Sequence, residues 1–158
     1  MQRVGPPPPD GVTSFLHSAA RGELRLWLPT PTILVFRYRG YSDGDFMPFV
    51  EMVYRRTLAR VDPPHKIFAD CEEQTGFSTQ FRQGMIDFTR RAVPFTDEWL
   101  LLVKSRLVAV GVMLARVAVG FPARHTEVTT RNDVFEARLE EAVRSSTAKT
   151  QPSAVPAP

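Results

Sequence analysis

Few side chains in this sequence are equipped for chemistry, and their neighbours decide what they can do. The candidates for nucleophile or base are three histidines, His17, His65 and His125, and one cysteine, Cys71. Nucleophilic catalysis needs a nucleophile, a base and an orienting group within hydrogen-bond reach. His17 lies in a leader segment and His65 follows two prolines in a loop, so neither has an obvious partner. A Gly-x-Ser-x-Gly elbow, a Gly-rich phosphate loop and a His-Glu-x-x-His pair are all absent. Cys71 stands beside Glu72 and Glu73, whose charges disfavour a thiolate, so it reads as inert. One cysteine can close no internal disulfide and builds no Cys-based zinc site. Asp70, Glu72 and Glu73 could serve acid–base work or a divalent cation, but a solvated acidic loop is the preferred reading. Ser78, after Gly76, has the type and place of a helix N-cap. No enzyme activity, metal or cofactor is expected.

The elements that must carry these residues follow from apolar periodicity. Glu23 to Leu28 alternates as a half-exposed strand, and Ile33 to Tyr38 follows across Pro29-Thr-Pro31, predicting an antiparallel hairpin that Gly40 ends. Phe46, Val50, Val53, Thr57 and Val61 share one face of a helix over Asp45 to Arg60, with Pro48 tolerated in its first turn. Pro63-Pro64 stops it before a short strand, Lys66 to Asp70. Phe81, Met85, Phe88 and Ala92 mark a second helix that Pro94 ends. Glu98 to Val103 is continuously apolar after its first residue, as a strand covered on both faces is. Ser105 opens an apolar helix, Thr126 to Thr130 is a last strand, and Asn132 caps a final helix. The fold class is therefore α/β: a mixed, mostly parallel sheet of about five strands, a β-hairpin then three βα crossovers, with four helices.

The chain has 158 residues, 43% hydrophobic and 23% charged, an ordinary globular composition of one-domain length. Such a domain buries roughly two-thirds of the surface its unfolded chain exposes, enough for a core without staples. Residues 1–21, with the Pro6–Pro9 run, read as a mostly disordered leader. Residues 145–158, rich in Ser, Thr, Ala and Pro, read as a disordered tail, leaving 22–144 as the domain. No stretch reaches the ~18 apolar residues of a membrane span, and the first residues carry no apolar signal core, so a cytoplasmic address is expected. The net charge of +3 is small, and no aromatic–basic interleaving marks the strands, so nucleic-acid binding is not expected. Arg55-Arg56 and Arg90-Arg91 end helices, where cations complement the dipole.

The helix after Ser105 is apolar nearly all round, broken only by Arg116. A two-layer domain covers one side of such a helix and leaves another wanting cover. Arg106, Val108, Val112, Ala115 and Val119 are the candidate partner face, for a protein partner or a second copy. The competing cover is the Pro-rich leader or a neighbouring helix.

Five features together resemble the STAS-like family, more closely its SpoIIAA-like branch. They are the opening hairpin, Tyr38-Arg-Gly40 before an acidic helix start, Ile67-Phe-Ala-Asp70 before a loop into helix two, Trp99 to Ser105 leading into an apolar helix, and Thr126 to Thr130 before an Asn-Asp-capped helix. The resemblance covers residues 22–144. It implies a non-enzymatic domain of bacterial signalling type that binds protein partners or small ligands, with a phosphorylation switch at the start of helix two. In the antagonist subfamily that site reads Asp-Ser-Ser-Gly. Here it reads Gly76-Phe-Ser-Thr-Gln80, placing Ser78 and Thr79 as switch candidates without the Asp or the following Gly. A phosphate there would meet free helix N–H groups. The leading functional expectation is a regulatory protein–protein interaction module. The alternative is a carrier of a small hydrophobic ligand or lipid, with Phe46, Phe81 and Phe88 lining its pocket.

Overall fold

The computed structural model describes residues 11–118 and 126–150. Ten elements follow one another: β1 (Ser14–Ser18), β2 (Gly22–Thr30), β3 (Ile33–Ser42), α1 (Phe46–Arg56), β4 (His65–Phe77), α2 (Thr79–Ala92), β5 (Thr96–Leu102), α3 (Arg106–Ala118), β6 (Thr126–Thr129) and α4 (Asn132–Thr150). Single 3-10 turns at Leu58–Arg60 and Val93–Phe95 close α1 and α2. The six strands lie side by side in chain order. β1, β2 and β3 pair antiparallel, and β4, β5 and β6 each add in parallel.

The α/β class, the hairpin and the three crossovers stand as expected, with four corrections at the margins. The sheet has six strands rather than five, because Ser14–Ser18, inside the expected leader, pairs with Glu23–Trp27. Its alternation turns Phe15 toward the core and leaves Leu16 half exposed. Gly40 does not end the hairpin: at φ +67° it bends β3, which continues to Ser42 against β4. A Cβ there would collide with the Arg21 carbonyl oxygen, so the close approach of the two strands requires glycine. α1 stops at Arg56, where the Thr57 hydroxyl bonds back to the Val53 carbonyl at 2.7 Å. At the other end α4 runs to Thr150, through the first residues of the expected tail.

Each face of the sheet has its own core. Leu24, Leu26, Phe36, Tyr38, Ile67 and Trp99 point one way and meet Phe46, Val50 and Val53 of α1 and Phe81 and Phe88 of α2. The alternate residues, Trp27, Val35, Phe68, Leu100 and Leu102, point the other way and meet Phe135 and Ala142 of α4. Period-two alternation thus separates two clusters of apolar side chains across one pleated layer. On the α4 side, Arg138 bonds to Glu98 at 2.7 Å and Glu127 at 3.1 Å, while Lys66 bonds to Glu98 at 2.6 Å, fastening the helix to β4, β5 and β6. No helix among the described residues is long and apolar enough to cross a membrane.

Candidate functional site

At the carboxyl ends of β3 and β4, where open α/β sheets hold ligands, lies a cleft of about 540 Å³ lined by Arg21, Tyr41, Asp43, Gly44, Asp45 and Gln80 among others. Ser78 stands at its edge as the N-cap of α2. Its backbone is extended (φ −75°, ψ 162°), its Oγ accepts from the Phe81 N–H at 3.1 Å, and its own N–H donates to the Ser42 carbonyl. The expected cap is therefore in place, an arrangement that contributes about 1 kcal/mol. Asp43 accepts from the Gly44 N–H at 2.8 Å and from Arg21 at 3.2 Å, and the nearby Ser78 hydroxyl also favours its charged form. Those bonds, led by Gly44, outweigh desolvation and lower its carboxyl pKa. Arg21 also lies over the Tyr41 ring at 4.0 Å. Asp45 makes no side-chain cap for α1; it meets His17 at 3.4 Å, and that imidazole stacks on Phe49. Thr79 begins α2 in an exposed position.

This arrangement is polar and cross-braced, and its bonds serve position rather than proton transfer. The Ser78 hydroxyl oxygen accepts from the Phe81 N–H, while His17 is held by Asp45. A nucleophile, base and orienting group in series are not assembled from these residues.

The acidic cluster does not converge. Asp70 accepts from Arg37 Nε at 3.0 Å and from the Glu72 N–H, while Glu73 lies 3.0 Å from Arg39. Among the described residues no group of three or more His, Cys, Asp or Glu is placed to hold a metal ion. Cys71 packs against the core under α1 and α2. Burial, with the Asp70 charge adding to it, pushes the thiol up to about 12, the inert behaviour anticipated but with burial rather than the flanking glutamates as its main cause. His65 is buried and its Nε2 bonds to the Val61 carbonyl at 2.7 Å, which ties the turn after α1 to β4. His125 lies outside the described residues.

Phe46, Phe81 and Phe88 sit in the core under α1 and α2, each almost fully buried. Phe46 and Phe81 meet edge to face at 6.3 Å, and Phe88 touches Phe36, Tyr54 and Trp99. Neither of the clefts described for this molecule is lined by any of the three.

Of the candidate partner face only Arg106 and Val112 are described in full. Arg106 is exposed but Val112 is half-buried, and the side chains of Val108 and Ala115 and all of Val119 lie outside the described residues. Among the described side chains of α3, the outward apolar ones are Leu107 (82% exposed), Val110 (53%) and Met113 (46%), at i, i+3 and i+6. Arg116, whose guanidinium bonds the Thr126 carbonyl, orients the helix on β6. A helix apolar on all sides gives no polar stripe to set its phase, which is why the sequence points to the helix but not to its outer face.

No protein-family model matches the chain, and no curated protein matches it. Among solved structures, a crystal structure of an uncharacterized DUF3478-family protein from Shewanella loihica PV-4, described as having a SpoIIAA-like fold, superposes with a TM-score of 0.52 over 82% of this chain and 94% of that one, at 11% identity. The chain has a SpoIIAA-like fold. Within that SpoIIAA-like fold, the sequence points to Ser78 as the cap of α2 at the cleft's edge but not to Arg21, Tyr41, Asp43 or Asp45 as cleft residues. The polar Ser42-Asp43-Gly44-Asp45 run was the available signal for the turn. Arg21 gave none, because it reaches the cleft only through the β1–β2 turn of the unexpected first strand.

Proposed function

We propose that this SpoIIAA-like domain is a non-enzymatic regulatory module that docks a protein partner through the outer stripe of α3. The carrying observation is the row Leu107, Val110 and Met113, large apolar side chains left in water on consecutive turns. Burying such a side chain is worth about 1.5–3 kcal/mol, so a partner covering the row gains substantially. The packed aromatic core around Phe46, Phe81 and Phe88 supports this reading over carriage of a hydrophobic ligand. Thr79 suits the switch better than Ser78: it is exposed, whereas a phosphate on Ser78 would displace the cap and face the Asp43 carboxylate.

A photo-crosslinking residue placed at position 110 in the source cell tests the docking surface. The expected result is one discrete protein adduct that is lost in the Leu107→Asp background and absent from the same probe at position 82. No adduct above that control, together with a hydrophobic compound co-purifying in native mass spectrometry, would overturn the reading in favour of a carrier.

A further inference from the structure

A second cleft, of about 420 Å³, lies at the opposite end of the sheet, between the β2–β3 turn, the chain entering β1 and the segment after α1. Two arginines line it: Arg56, the last residue of α1, and Arg60, in the following turn. Neighbouring arginines have carboxylate partners. Arg55 and Arg91 pair with Glu51, and Arg90 with Asp87. Arg56 and Arg60 have no carboxylate within pairing distance among the described residues, and both are exposed. The dipole of α1 offers Arg56 some compensation, but Arg60 lies beyond the helix. The other walls include Val12, Leu28 and Pro31, apolar surface that displaces water and strengthens a charge pair formed beside it.

We propose that this cleft binds an acidic peptide segment of a partner protein, one carboxylate on Arg56 and a second on Arg60, with the intervening chain against Val12, Leu28 and Pro31. A guanidinium fork matches a carboxylate in two parallel hydrogen bonds, and clustered arginines are a recurring reader of acidic motifs. The exposed Pro31, Arg56 and Arg60 leave the cleft open at its side, so a continuing polypeptide fits where a closed cavity would demand a free small molecule. The lining contains no aromatic ring on which a nucleobase would stack. The site shares no residue with α3 and stands independently of the docking surface proposed there.

The test is fluorescence anisotropy on the full chain with a labelled hexaglutamate peptide, against hexaglutamine and a six-residue thymidine oligonucleotide. The expected result is saturable binding of hexaglutamate alone, weakened about tenfold or more by Arg56→Gln and by Arg60→Gln, and unchanged by Arg82→Gln or Leu107→Asp. Absence of saturable binding, or equal weakening by Arg82→Gln, would overturn it. So would equal affinity for the oligonucleotide, or binding that appears only in the Asp10→Asn variant, which would assign the cleft to this chain's own Asp10.

Discussion

Helices α2 and α3 occupy equivalent places in the chain, each returning from one parallel strand to the next, yet they meet water in opposite ways. α2 turns Phe81, Phe88 and Ala92 into the core and presents Arg82, Gln83, Arg90 and Arg91 outward. α3 shows Leu107, Val110 and Met113 outward and has one charged residue, Arg116, after its first. The same topological task requires only one apolar stripe, as α2 demonstrates. The additional apolar side of α3, uncovered by the other described residues, is what the proposed partner docking rests on.

The most forceful way to break this comparison is through the core side of α2. Phe88→Ala removes a ring that is 1% exposed and is expected to cost about 3–5 kcal/mol in urea denaturation; a cost near that of a surface change would show that the inward side of α2 does not carry the core. A smaller effect is expected where α4 is fastened. Glu98→Gln leaves Lys66 and Arg138 without their shared charge, a loss of about 1–3 kcal/mol at neutral pH. Burial raises the Glu98 carboxyl pKa, but the bonds and charges of Lys66 and Arg138 outweigh it and the net shift is downward. A lowered folded-state pKa gives stability that is present above the unfolded value, about 4.3, and is lost as pH falls through the folded one. The gap between wild type and Glu98→Gln should therefore hold at neutral pH and narrow as the pH falls below about 4.3, measured by urea midpoints.

Ser78→Ala should cost about 1 kcal/mol by removing the α2 cap, detectable as a shifted midpoint with an unchanged denaturant slope. The smallest change is expected on α3, where Val110→Cys should alter stability by less than about 0.5 kcal/mol. That variant also sharpens the contrast. In the native protein iodoacetamide at pH 8 should label position 110 rapidly and Cys71 very slowly, since a thiol pKa of about 12 leaves almost no thiolate there. Equal labelling of the two would contradict the described burial.

The parts of the fold that were legible are those whose patterning had one interpretation. Leu24, Leu26, Phe36 and Tyr38 alternate over long enough runs to define the hairpin, and Phe81 and Phe88 lie a helical repeat apart. β1 escaped because five residues, Ser-Phe-Leu-His-Ser, hold only one core-facing apolar side chain, Phe15, and the pairing with β2 supplies what the pattern lacks. The reach of α4 past Arg144 was hidden by Ser and Thr, residues that favour caps and turns when isolated. In the structure Thr147 returns its hydroxyl to the Val143 carbonyl, and Ser146 bonds Thr30 and Thr32. At the edge of the cleft beside β3 and β4, Ser78 was readable from its place before an apolar repeat. Arg21 and Asp43 were not, since their meeting depends on strand register. The Arg56–Arg60 cleft was unreadable for the same reason: Val12, Leu28 and Arg60 come from three distant stretches of chain.

The Ser146 contacts have a bearing on how the molecule comes together. Because the strands lie in the order of synthesis, each can join its predecessor as it emerges, and no early strand must wait for a distant one to occupy a gap. The last helix reverses that progression, returning to clasp the β2–β3 hairpin by hydroxyl groups 116 residues apart. It acts as a latch, so shortening the chain ahead of Ser146 would leave every strand paired and Phe135 and Ala142 seated on Trp27 and Val35, while removing the hydroxyl clasp at the β2–β3 turn.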